Sequence, residues 1–209
     1  MAALHRLMDL VEVNLAWALC CIPIVTIGAS TVSLYGTIAA MQREQTNKEQ
    51  AVDILPCFFS LFRREFRQST LLMLIKALAI LILAADARIA GLLSGSLANM
   101  VSIMFWIAAV PASMAGGFIY PVQAKFSNSV VQNAKNAALM AFSNPSVSIS
   151  VAVLNGIPLA LLFAAPRLFV RSSFFWLVVG IAGTAWINWK MLHPVFERYC
   201  LQATEEESQ

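Results

Sequence analysis

The chain has 209 residues, of which 59% are hydrophobic and only 12% charged, with a formal net charge of +3. A soluble domain carries about 45–50% apolar and about 25% charged residues, so this composition excludes an ordinary water-soluble fold. The few basic residues are scattered, with no basic stripe interleaved with aromatics, which excludes a nucleic-acid binder.

Four stretches carry no Asp, Glu, Lys or Arg: Val13–Gln42, Ile89–Ala124, Asn136–Pro166 and Ser172–Trp189. A fifth, Gln68–Ala85, is interrupted only by Lys76. About 20 apolar residues cross a hydrocarbon core of about 30 Å. In lipid each backbone N–H must find its carbonyl within the segment, so the spans are helices; continuous apolar runs also exclude a barrel, whose strands would alternate. The expectation is an all-α polytopic transmembrane bundle of about five spans, at 13–41, 68–85, 100–121, 147–165 and 172–190. Residues 1–200 form one domain, followed by a disordered acidic tail at 201–209.

The first run is too long for one straight span and too short for two. Pro23 and Gly28 bracket Ile-Val-Thr-Ile within it, and proline removes a donor and clashes with the preceding turn. One kinked first span with an interfacial extension is expected, a re-entrant hairpin being the alternative. Asp9 and Glu12 precede the run and no clear cleavage site follows, so the N-terminus reads as retained. Further on, Phe58, Phe59, Phe62 and Phe66 fall near one helical face, with Arg63, Arg64 and Arg67 beside or opposite them. This predicts an interfacial amphipathic helix, aromatics toward lipid and arginines toward headgroups, before the second span.

Lys76 is the one charge inside a span, where an ammonium costs roughly 2.5–3.5 kcal/mol on insertion scales. It reads either as a gate or ion partner, to Glu12 or Asp9, or as a side chain snorkelling to the headgroups. Asp86, Arg88 and Gly91–Asn99 form the following loop. The third span carries Pro111 and two series of small residues, Ala109, Ser113, Gly117 and Ala108, Ala112, Gly116; steps of four make ridges for close helix packing. A polar, partly amphipathic segment covers Lys125–Phe142. Asn144-Pro145 suits a helix start with Asn144 as cap. Pro158 is expected to break the fourth span, as Pro23 and Pro111 break theirs, and Asn155 and Thr26 could offer side-chain ligands at such breaks. Pro166–Arg171 turns the chain into the fifth span.

Basic residues set orientation. With five spans, Arg43, Lys48, Arg63, Arg64, Arg67, Lys125, Lys135, Lys190 and Arg198 share one side, against Arg6, Arg88, Arg167 and Arg171, which puts the C-terminus in the cytoplasm. A hairpin in the first segment would move Arg6 to the larger group. Tyr120, Trp186, Trp189 and Tyr199 then mark the cytoplasmic interface and Trp176 the outer one. Tyr120-Pro121-Val122-x-x-Lys125-Phe126 and His193-Pro194-Val195-x-x-Arg198-Tyr199 read as convergent interface anchors rather than a duplication.

No metalloprotease, phosphate-loop or nucleophile-elbow motif is present, and the acids do not pair within spans, so no catalytic activity, metal or cofactor is expected. The cysteines Cys20, Cys21, Cys57 and Cys200 lack metal-site spacing.

Three stretches carry a family resemblance. Trp17-(x5)-Pro23-Ile-Val-Thr26-Ile-Gly28-Ala-Ser-(x3)-Leu34-Tyr35, Phe58-Phe59-(x2)-Phe62-(x3)-Phe66-Arg67-Gln68-Ser69-Thr70 and Tyr120-Pro121-(x2)-Ala124-Lys125-Phe126 resemble the YesL family of bacterial membrane proteins, as do Lys135-Asn136-Ala137 and Asn144. One departure is Arg64-Glu65, where the pattern has Asn before Phe66. The resemblance implies a plasma-membrane protein without catalytic residues, whose relatives are often encoded beside carbohydrate uptake systems. It implies an accessory role through the cytoplasmic face, with a sugar transporter subunit or membrane sensor as partner. Self-association through the third span is also open. Candidate functional or contact residues are Pro23, Thr26, Gly28, Phe62, Arg63, Arg67, Lys76, Tyr120, Pro121, Lys125, Phe126 and Asn136. A small oligomeric transporter or channel with broken helices at the midplane is the alternative.

Overall fold

A computed structural model of the chain describes residues 2–47, 52–126 and 128–207. These fold entirely as helices: α1 (Ala2–Cys20), a 3₁₀ turn (Ile24–Thr26), α2 (Ile27–Asn47), α3 (Ile54–Leu92), α4 (Ser96–Lys125), α5 (Val130–Ser143), α6 (Pro145–Ala164), α7 (Pro166–Phe175), a π-helical segment (Trp176–Gly180) and α8 (Ile181–Glu207). Five helical stretches are long and apolar enough to cross a membrane: Ile24–Glu44, Ile54–Leu92, Ser96–Lys125, Pro145–Ala164 and Pro166–Leu201. The chain is a multi-pass helical membrane protein. The last helix continues to Glu207, so the segment expected to be a disordered tail is helical to that point, and Lys48 lies outside the described residues.

The first apolar run is a hairpin, not one kinked span. Helicity stops at Cys21–Pro23 and resumes through the 3₁₀ turn, where the Thr26 hydroxyl donates to the carbonyls of Cys20 and Pro23. From there α2 returns along α1: Trp17 Nε1 donates to Thr31 Oγ1 at 3.2 Å, and Asp9 feels the charge of Glu44. Proline breaks the helix as expected, but side-chain contacts close the break into a reversal. α2 lies along the first half of α3, with Gly28 against Ser69, Gly36 against Leu61, and Glu44 accepting from the Val52 N–H at 3.2 Å. The tip of the hairpin is therefore level with the middle of α3, about 28 Å short of its end at Leu92 by helical rise. That fits the re-entrant alternative.

α2 is the central helix. In its most apolar window 61% of the residues are buried, against 6% for α3 and α4. Its Ser and Thr residues are compatible with burial because Ser30, Thr31 and Ser33 return their hydroxyls to carbonyls four residues back, at 2.7–2.9 Å. Around it Leu34, Ile38, Phe58, Phe118, Trp189 and Phe196 build the core. The outer halves of α3 and α4 form a hairpin turned by Leu93–Gly95, where Gly95 takes φ 71°, a conformation that glycine alone adopts freely. Their residues Leu78, Leu81, Ile103 and Ile107 stay exposed, as surface meant for lipid does.

Three further expectations are corrected. The interfacial helix is the first part of α3: nothing between Pro56 and Leu92 interrupts the helix, and Phe58 is fully buried, with Phe62 stacked on it and edge-on to Phe66. Pro111 and Pro158 lie inside unbroken helices, since neighbouring helices in an apolar medium tolerate the lost bond. Asn144 is the N-cap residue of α6 and Pro145 opens the helix, as expected, but the Asn144 side chain makes no cap bond; it donates backward to Met140 O at 3.0 Å and closes α5. The irregularity in the last span comes without proline. The π turns at Trp176–Gly180 strand backbone groups, and Asn14 of α1 meets them: its amide donates to the carbonyls of Trp176 (3.2 Å) and Leu177, and its oxygen accepts from Ala182 N–H at 2.7 Å.

Candidate functional site

Lys76 projects from the middle of α3 into a cavity of about 570 Å³ bounded by α2, α3, α4 and α6. Its ammonium donates to Gly116 O at 3.3 Å and stands 5.0 Å from the centroid of the Tyr120 ring. No carboxylate among the described residues pairs with it. The expected partners lie elsewhere: Asp9 answers to Glu44 and His5 at the end of the α1–α2 hairpin. The tip of Lys76 is held inside the bundle, about 14 Å along α3 from Arg67 by helical rise.

The small residues of α4 explain why there is room. Ala109, Ala112, Ser113, Gly116 and Gly117 line the cavity. The two ridges were expected to press against another helix. Only part of one does: a Cβ on Gly117 would stand 3.0 Å from Val151 Cγ1 on α6. At Gly116 the missing side chain leaves the space that Lys76 fills, its Cε 3.6 Å from where a Cβ would be. The ridge is thus a recess for a long cation more than a seam between helices.

A polar network closes the inner wall. Asn188 on α8, fully buried, donates through Nδ2 to Tyr35 Oη at 3.2 Å and to Asn155 Oδ1 at 2.9 Å, so three helices meet in one amide. Its Oδ1 is buried without a partner among the described residues. Of these, Asn155 was singled out from sequence as a ligand at a broken helix; it is a hydrogen-bonded wall residue of an unbroken one. Asn188 was missed because it sits among Trp186 and Trp189, which read as an interface belt. Trp189 and Tyr120 are in fact core residues, 2% and 9% exposed.

The other candidates divide by position. Pro23, Thr26 and Gly28 build the hairpin and its crossing with α3, and none reaches the cavity. Tyr120 lines the Lys76 cavity, while Phe62, Arg63, Arg67, Pro121, Lys125, Phe126 and Asn136 gather toward the other end of the bundle. There Glu65 accepts from Gln123 Nε2 at 3.2 Å and pairs with Arg64 at 2.9 Å, which ties α3 to the end of α4 and gives the Arg64-Glu65 departure a structural job. Arg63 and Arg67 remain exposed, Pro121 is buried, Phe126 meets Phe196 edge-on at 5.8 Å, and Asn136 accepts from Gln132 at 2.8 Å. At the same end Arg43, Lys125, Lys190 and His193 line a second cavity of about 320 Å³, with Glu197 as its one acid, 3.4 Å from His193.

No curated protein and no solved structure matches the chain. Residues 10–87, which hold most of the α1–α2 hairpin and of α3 through Lys76, match the family described as a protein of unknown function, DUF624.

Proposed function

We propose that this chain is a non-catalytic accessory protein of the bacterial plasma membrane that docks a partner through its basic end, with a subunit of a carbohydrate uptake system as that partner. The observation that carries the reading is the clustering there of cationic side chains that make no ion pair among the described residues. Arg63 and Arg67 are exposed on the first half of α3, and Arg43, Lys125 and Lys190 rim the polar cavity beside them. Because α1 and α2 form a hairpin, Arg6 joins this end, and among the described residues only Arg88, Arg167 and Arg171 fall at the other. That asymmetry favours a cytoplasmic basic end and, with α8 running through the same cavity, a cytoplasmic C-terminus. Arginine beside aromatic anchors is the composition of binding hot spots. The link to carbohydrate uptake rests on the YesL resemblance alone. The absence of catalytic motifs in the sequence supports a role without chemistry of its own.

The test is affinity purification in mild detergent from cells expressing the tagged chain at native level. Co-purification of an uptake-system subunit, lost in the triple variant Arg63→Glu, Arg64→Glu, Arg67→Glu, is expected. Repeated recovery of the chain alone refutes the reading.

A transporter or channel remains the second reading because of the cavity at Lys76. Two of the three helix breaks that motivated it are gone, and of the polar side chains that line the cavity Tyr35 and Asn155 are already engaged by Asn188.

A further inference from the structure

The cavity around Lys76 is polarised along the bundle. α3 and α4 run antiparallel, as do α4 and α6, so positions along all three can be compared. At one end stand Lys76, Tyr120 and the Gly116 carbonyl, with Thr31 and Tyr35 on the α2 wall; the other end is walled by Leu83, Ala109 and Leu159, with Ile80, Ser113 and Asn155 between. The polar end faces the basic end of the bundle, where Arg67 and Lys125 lie, and the apolar end points away from it. Ile80 is 56% and Leu159 58% exposed, so the cavity opens sideways into the hydrocarbon rather than to water. The ammonium at its head has a carbonyl and a ring for company and no anion among the described residues. An ionisable group inside a membrane bundle faces its interior and pairs with an opposite charge where one exists. Here the protein supplies the cation, the shape and the apolar track, and lacks only the counter-charge.

We propose that this cavity binds an amphiphile with one anionic headgroup, its head on Lys76 and its chain along α3 toward Leu83, entering laterally from the bilayer. The volume of about 570 Å³ lies inside the range of small-molecule sites. The orientation matches that of a lipid-like molecule in the leaflet at the basic end. This site is separate from the docking surface proposed above and does not depend on it.

The experiment uses the full chain purified in a non-ionic detergent and a fluorescent long-chain fatty acid as reporter. Laurate, 1-dodecanol and dodecylamine share one chain length and differ in the headgroup, which is anionic, neutral and cationic in turn. Laurate is expected to displace the reporter at about tenfold lower concentration than dodecanol, the scale of one charge-assisted hydrogen bond, and dodecylamine is expected to be weakest. In Lys76→Met the advantage of laurate over dodecanol should fall to about one, while Lys76→Arg should keep it. Ala112→Phe fills the track without touching Lys76 and should abolish displacement by all three, so the proposal stays testable if Lys76→Met fails to fold. Equal displacement by laurate and dodecanol in the native chain, or an unchanged ratio in Lys76→Met, overturns it. A further arm distinguishes the source. Dilauroyl phosphatidic acid competing as well as laurate, with the same Lys76 dependence, assigns the site to membrane lipid headgroups; laurate competing alone assigns it to free single-chain acids.

Discussion

Gly28 gives the sharpest quantitative test of the α1–α2 hairpin. In Gly28→Ala the new Cβ falls on the carbonyl oxygen of Ser69, well inside contact distance, and 3.0 Å from Met73 Cβ. The obstacle is backbone of a continuous helix and cannot rotate away, so α2 and α3 must separate. Overpacking of this kind costs about 1–3 kcal/mol. The control is Gly183→Ala, a helical glycine with nothing within 4 Å of its would-be Cβ, which should gain up to about 1 kcal/mol of helix propensity. The two variants make the same chemical change, so their difference isolates the crossing. For a chain of this length about 1 kcal/mol moves the midpoint by ~2–4 °C, which places Gly28→Ala roughly 2–12 °C below Gly183→Ala. Thermal unfolding in one detergent, followed by tryptophan fluorescence, reads that gap. If Gly28→Ala melts at or above Gly183→Ala, α2 does not lie against α3 as described.

Asn14→Leu should be the most damaging single change at the first helix, because it leaves the Trp176 and Leu177 carbonyls and the Ala182 N–H without their partner. At about 0.6 kcal/mol per intramembrane hydrogen bond, and up to about 1.7, the loss is ~2–5 kcal/mol, measurable by the same melting assay; an Asn14→Leu chain as stable as the parent would discount these bonds. Asp9 predicts a pH effect. Burial first and the negative charge of Glu44 second raise its carboxyl above the usual carboxylate value, with His5 pulling the other way. A raised folded value means its favourable contribution is full below the unfolded pKa of about 3.9 and is lost as pH rises through the folded value. Asp9→Asn should therefore melt higher than the parent at pH 7, and the gap should close as pH falls toward 4; a constant gap would contradict the assignment.

The helical class and the five long apolar stretches were legible because both follow from composition and run length, which the bilayer enforces directly. The course of the first segment was not. A proline break permits either a kink or a reversal, and the choice is made by Trp17 with Thr31 and by Gly28 with Ser69, contacts between positions far apart in the chain. Proline was over-read at Pro111 and Pro158, where lipid and neighbouring helices absorb the missing bond. Lys76 was visible as an isolated charge, and the small residues of α4 as two ridges. That these describe one feature required the distance from Lys76 Nζ to Gly116 O. Tyr35 stood out only as the end of the first resemblance motif, and Asn188 carried no signal, since a single amide among tryptophans looks the same whether it faces headgroups or a buried wall.

The bonds from Asn14 to the π turns join positions 162 to 168 residues apart. The amide on α1 thus has its partners only once the segment through Ala182 has been made. A chain cut before Trp176 loses those partners along with the segment itself, so α1 and the π turns are expected to stand or fall together.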